Sequence, residues 1–238
     1  MIMKNIVLIV TLFLGVATFA QTETSLQLAR KQYQEENYGE VIKLLEKAAV
    51  EEPANAQVPY LMGRAYVDMN NYKKAVTFLE KAIGMDSSKS NWMYECSLVY
   101  QSVPNYKRSL QMMILAGEKG YKKTSDYLEN LGNTYVTTGE YSKGIELLNE
   151  VLKKKPEDPE LIFQIAQANY KAGKFDDAIT MWDKLFQADN TNAEALYMIG
   201  LSYQKKGEKD KGQQICDKAI QMDPSLRSKR QQSGGGGL

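Results

Sequence analysis

An aromatic residue returns at a nearly fixed interval along most of the chain. Each time it follows a short polar turn: Tyr38 after Glu36-Asn37, Tyr72 after Asn70-Asn71, Tyr106 after Pro104-Asn105, Tyr141 after Gly139-Glu140 and Phe175 after Gly173-Lys174. The intervals are 34, 34, 35 and 34 residues, and a further 34 reaches Lys209 after Gly207-Glu208. A period of this length marks an architecture in which one supersecondary unit is copied and stacked. A plain coiled coil is excluded, because sustained heptads would not tolerate a turn with Gly or Pro in every period.

Two series of small residues are locked to the aromatic one. Nine residues before it stand Ala29, Gly63, Ser97, Gly132, Ala166 and Gly200; three after it stand Val41, Ala75, Ser109, Gly144, Ala178 and Gly212. Larger apolar residues flank both at helical spacing, such as Leu128, Leu131 and Tyr135, or Ile145, Leu148 and Leu152. Small sites in register on two helices let their backbones approach closely. Glycine inside a helix costs about 1 kcal/mol against alanine, so Gly144 and Gly212 imply close packing that compensates. Proline follows several second helices, at Pro53, Pro156 and Pro224, where it cannot continue them. The pattern predicts helix pairs at 24–35/38–51, 57–69/72–84, 90–102/105–118, 125–137/141–154, 159–171/175–187 and 193–205/209–222.

These features closely resemble the tetratricopeptide repeat, a 34-residue helix–turn–helix unit. Its Leu-Gly-x-x-Tyr element stands as Leu131-Gly132-Asn133-Thr134-Tyr135, and again around Gly63-Tyr66 and Gly200-Tyr203. The resemblance spans about residues 22–224 and implies an all-α solenoid with a right-handed superhelix. The expected units are 22–55, 56–89, 90–124, 125–158, 159–192 and 193–224, each stacking on its neighbours because no pair can bury its apolar face alone. The third unit departs most, with Pro104 in its turn, Gly117 and Gly120 near its end and an extra residue around 120–124.

In this family the first helix of each pair lines a concave face that holds a peptide or helix of a partner protein. Carried over by position, the face is expected to present Tyr33, Tyr60, Arg64, Tyr94, Gln101, Asn133, Phe163, Gln167, Tyr170 and Tyr197. Tyrosine combines large contact area with one polar handle, and aromatics are enriched in binding hot spots. The other reading of these tyrosines is as core between repeats. Family members that clamp a C-terminal carboxylate use Lys, Asn and Arg at matching positions; Leu26, Arg30 and Leu61 stand there instead.

Met1–Ala20 has the form of a secretory signal: Lys4 is its only charge, Ile6–Ala20 is uncharged and apolar, and small residues close it before Gln21. A spanning helix needs about 20 apolar residues, so an uncleaved inner-membrane anchor is the alternative. After cleavage no transmembrane segment is expected, and the chain would be periplasmic or secreted. Residues 225–238, rich in Ser and Gly, are expected to be a flexible tail.

The chemistry implied is that of a scaffold. The 30 basic and 29 acidic residues nearly cancel, which argues against nucleic acid, since phosphate binding needs concentrated positive charge. There is no histidine, so the commonest general acid/base, its nucleophile systems and most catalytic zinc sites are absent. Gly139–Gly144 and Gly207–Gly212 have phosphate-loop spacing, but Ile145 and Gln213 stand where Lys is required. No enzyme activity, cofactor or metal is expected. Cys96 and Cys216 lie three units apart, on the order of 25 Å at helix-packing distances, too far for a bridge. The sequence thus reads as an exported protein-binding scaffold, or as a structural subunit of an envelope complex that associates through its helix ends or outer face.

Overall fold

The computed structural model describes residues 23–228. The expected signal segment, and the tail from residue 229, lie outside the described residues. Among the described residues these helices run in order: α1 (Ser25–Gln34), α2 (Tyr38–Glu51), α3 (Gln57–Asp68), α4 (Tyr72–Met85), α5 (Ser90–Ser102), α6 (Tyr106–Glu118), α7 (Ser125–Thr137), α8 (Tyr141–Leu152), α9 (Pro159–Lys171), α10 (Phe175–Ala188), α11 (Ala193–Lys206) and α12 (Lys209–Met222). Each lies within two residues of its expected bounds. Successive helices pack as hairpins, and each hairpin packs on the next. The fold is an all-α solenoid.

The hairpin turns explain the polar residues before each aromatic. The residue two before the aromatic, or before Lys209 at that position in the last unit, takes a left-handed conformation in five units: Glu36 (φ 57°), Asn70 (φ 56°), Gly139 (φ 89°), Gly173 (φ 74°) and Gly207 (φ 103°). Its N–H and the next one bond back to the first helix, as in Gly139 N to Val136 O (3.2 Å) and Glu140 N to Tyr135 O (2.8 Å). This double bond satisfies carbonyls orphaned at a helix end. The third unit places Pro104 there, which has no N–H and a fixed negative φ. Only the second bond survives, from Asn105 N to Tyr100 O at 3.2 Å.

Close approach inside the hairpins is as the small residues require. A Cβ on Gly144 would lie 2.7 Å from Gly132 O, and one on Gly212 would lie 2.5 Å from Gly200 O. Serines fill this place in the third unit, where Ser109 Oγ donates to Ser97 O at 2.8 Å. Seven residues after the aromatic position runs a deeply buried column of mostly large side chains, Leu45, Leu79, Met113, Leu148, Trp182 and Cys216, none above 2% exposed. Burying one such large side chain stabilises by about 2 kcal/mol, so the column is a main source of cohesion between units.

The junction between α6 and α7 is packed least of all, and it lies where the extra residue was expected, in the loop 119–124. Tyr121 from that loop stacks on Tyr94 with ring centroids 4.4 Å apart. Tyr127 reaches across the junction and donates to Met113 O at 2.9 Å, its phenol lying against Gly117, where a Cβ would collide with it. Both cysteines are buried. Burial pushes the Cys96 thiol up to about 12, so it is an inert packing group.

The end of the stack differs from the expectation of a flexible tail from residue 225. The chain turns at Pro224 and Leu226 folds back, 2% exposed, against Leu196, Tyr197, Ala219 and Ile220. An apolar residue there covers core that a further unit would otherwise have covered. No helix among the described residues is long and apolar enough to cross a membrane.

Candidate functional site

The face built by α1, α3, α5, α7, α9 and α11 carries the residues chosen from the sequence. Nine of the ten are half-buried or exposed there. Their polar atoms are tied across units by side-chain bonds, chiefly from one first helix to the next. The Tyr33 phenol donates to Asp68, and Tyr60 donates to Glu95 at 2.8 Å. Asn130 Nδ2 donates to the Tyr94 phenol at 2.8 Å, and Gln101 donates to Thr134 Oγ1 at 3.3 Å. Asn133 donates to Gln164 at 3.0 Å, and Gln164 donates in turn to Glu129 at 3.2 Å. Arg30 joins the first two units through Gln57 at 2.9 Å.

The aromatic members are held by rings as well. Tyr60 stacks on buried Trp92 at 4.5 Å, and Tyr33 meets Tyr38 edge-on at 5.5 Å. Phe163 meets Trp182 edge-on at 5.0 Å and Tyr170 meets Phe175 at 5.7 Å. Gln167 is half-buried between them in sequence, one turn from each. These contacts fix the orientation of the rings.

Electrostatics follow from burial and these bonds. Burial first, then the bond to Asp68, raises the Tyr33 phenol above its ordinary value. Burial also raises Tyr60, with Arg64 opposing and Glu95 reinforcing. Burial raises Tyr94 and Tyr170. The bond to Tyr60 raises the Arg64 guanidinium. All four phenols therefore stay protonated donors or acceptors at neutral pH. No group of three or more metal-type ligands occurs among the described residues.

Tyr197 is the exception among the ten. It is 2% exposed and sits in the cluster that closes the stack, with Cys216, Ala219, Ile220 and Leu226. Tyr197 is therefore a core residue of this cluster.

Sequence reasoning missed the partners: Asp68, Glu95, Asn130, Gln164 and the loop residue Tyr121. A signal for three of the bonds existed. Tyr33–Asp68, Tyr60–Glu95 and Glu129–Gln164 are each separated by 35 residues, one period plus one. Tyr121 had no such signal, because it lies in the irregular loop.

With this geometry in place, comparison with known proteins is informative. Two tetratricopeptide-repeat profiles match, one over residues 32–89 and 135–183 and the other over 193–226, together more than half the chain. No curated protein matches significantly. Among solved structures, YrrB, a repeat protein with an unusual peptide-binding site, is 25% identical, with TM-score 0.62, covering 78% of this chain and 97% of its own. MamA of strain AMB-1 is 20% identical, with TM-score 0.57, covering 70% and 98%. PilW, a widely conserved type IV pilus biogenesis factor, is 16% identical, with TM-score 0.53, covering 84% and 91%.

Proposed function

Because the chain belongs to the tetratricopeptide-repeat family, we propose that it is a non-enzymatic, exported scaffold. Its first-helix face is a concave groove that docks a peptide or helix of another protein and so supports assembly of a cell-envelope complex. The observation that carries this reading is the face itself. Nine of the side chains chosen from the sequence are half-buried or exposed, and bonds between units orient several of their rings and amides. Ordering these groups beforehand lowers the entropic cost of binding. The peptide-binding site of YrrB supports the reading at the level of a distant relative, and the pilus factor PilW at the level of fold. The signal-like Met1–Ala20 supports export, into the periplasm of a Gram-negative cell.

The test is affinity capture of the tagged full chain from its native envelope fraction, read by mass spectrometry. Tyr94→Ala with Phe163→Ala is expected to lose the partner while keeping the helical circular dichroism spectrum. Undiminished capture by the folded double variant would move the contact to the helix ends or outer face.

A further inference from the structure

Between α3 and α5 the same face holds an open cavity of about 310 Å³, lined by Arg64, Val67, Leu79, Glu95, Leu98 and Val99. Four of the six are apolar, with Leu79 and Val99 buried and Val67 and Leu98 half-buried. The other two carry opposite charges, and neither forms an ion pair among the described residues. Arg64 Nη1 donates to the Tyr60 phenol at 3.4 Å, and that phenol donates to Glu95 at 2.8 Å. Tyr60 is itself held by its stack on Trp92, so the chain Arg64–Tyr60–Glu95 is set before any partner arrives.

This arrangement selects its occupant. A guanidinium has five N–H donors and a carboxylate about four acceptor sites, so most of the capacity of both groups is uncommitted to the protein. An anion would be drawn to Arg64 and repelled by Glu95, and a cation the reverse. A peptide group avoids this conflict, since its C=O suits Arg64 and a neighbouring N–H suits Glu95. The volume lies at the low end of the range for ligand sites, about 300–1,000 Å³, which admits one large side chain but not a folded element. In extended-peptide recognition, backbone bonds supply affinity and side-chain pockets supply specificity.

We propose that this cavity is the anchor pocket of the groove: it takes one uncharged apolar side chain of an extended partner segment, whose adjacent backbone C=O accepts from Arg64 and whose N–H donates to Glu95. The inference rests on reading the face as a protein-docking groove, and it specifies where the partner is gripped and by what chemistry.

The probe is a set of capped pentapeptides, Ac-Ala-Ser-X-Ser-Ala-NH2, titrated into the isotope-labelled full chain and followed by NMR. X is leucine, phenylalanine, aspartate, lysine or N-methyl-leucine. The leucine and phenylalanine peptides are expected to shift the Val67 and Val99 amides, and to bind at least fivefold more tightly than the aspartate, lysine and N-methyl peptides. Leu98→Trp, which fills the cavity, is expected to abolish those shifts; should it fail to fold, Val67→Phe serves from the facing wall. Arg64→Ala is expected to weaken leucine-peptide binding by about tenfold. Equal binding of all peptides, or binding unaffected by the filled cavity, overturns the pocket. Shifts confined to α7 and α9 overturn the pocket and leave the groove standing. No shift anywhere at millimolar peptide overturns both.

Discussion

The phenol of Tyr60 donates a 2.8 Å hydrogen bond to Glu95, 35 residues further along the chain and one unit further along the solenoid. It joins two first helices on the exposed face, where the backbones share no hydrogen bonds. A hydrogen bond to a charged group contributes about 1.5–3 kcal/mol at most sites, and less when exposed. Tyr60→Phe is therefore expected to destabilise the chain by about 1 kcal/mol. In a double-mutant cycle with Glu95→Gln, urea denaturation should show a coupling of the same order. Additive losses would mean that the bond is formed without energetic consequence.

The raised phenols set an alkaline limit. Tyr33, Tyr60, Tyr94, Tyr127 and Tyr170 all hold their protons more tightly in the folded chain, with burial as the largest cause; Tyr100 is pushed up to about 12. A free tyrosine ionises near pH 10. Above that value the unfolded state loses protons that the folded state keeps, so stability is present in full below it and falls as pH rises through the folded values. Urea midpoints measured from pH 8 upward should stay level and then decline above about pH 10. A flat profile to pH 12 would contradict these burial assignments.

Close packing at Gly212 leaves no room for a methyl group. A Cβ there would meet Gly200 O at 2.5 Å and the Gln204 backbone nitrogen at 2.8 Å. Helix propensity alone would make Gly212→Ala stabilising by about 1 kcal/mol, whereas overpacking costs about 1–3 kcal/mol. Destabilisation is expected, read as a lower Tm, because these two obstructing atoms are backbone and cannot swing away as the third, Gln204 Cγ at 2.6 Å, could.

Glu36 bears a strain that glycine would relieve. It is held at φ 57° in the first turn, a conformation that costs an L-residue about 1–2 kcal/mol. Glu36→Gly is expected to raise the Tm of the chain. The same change at Asn70 should gain less, since asparagine tolerates this region better.

Leu226 closes the stack. It is 2% exposed within the last cluster. Leu226→Ala is expected to cost about 2 kcal/mol, at the low end for a buried leucine because the site is terminal. Amide hydrogen exchange should rise in α12 and the second half of α11 and stay unchanged in α1–α6, since solenoid stability is transmitted between neighbours.

The hairpins were legible because their information is local. The left-handed residue in five of the six turns, the paired small sites and the proline beyond several second helices all act within one unit. Three dozen residues therefore suffice to place two helices within two residues of their bounds. Of the ten candidate residues, nine are half-buried or exposed. Tyr197 is buried instead, in the cluster that also holds Leu226 from beyond the last helix pair. That contact has no counterpart in the other units and so no periodic signal.

What the amino-acid sequence determined by itself is the repeating element: its length, its turn, its close-packed glycines and the face each helix turns outward. What only the tertiary structure decided is how one unit meets the next. The bonds from Tyr60 to Glu95 and from Asn133 to Gln164, the loose α6–α7 junction filled by Tyr121 and the cavity between Arg64 and Glu95 all lie between units. They depend on the rotation and offset of neighbouring hairpins. Those quantities come from the summed packing of side chains such as Met113, Leu148 and Trp182, whose volumes change from unit to unit while the period does not.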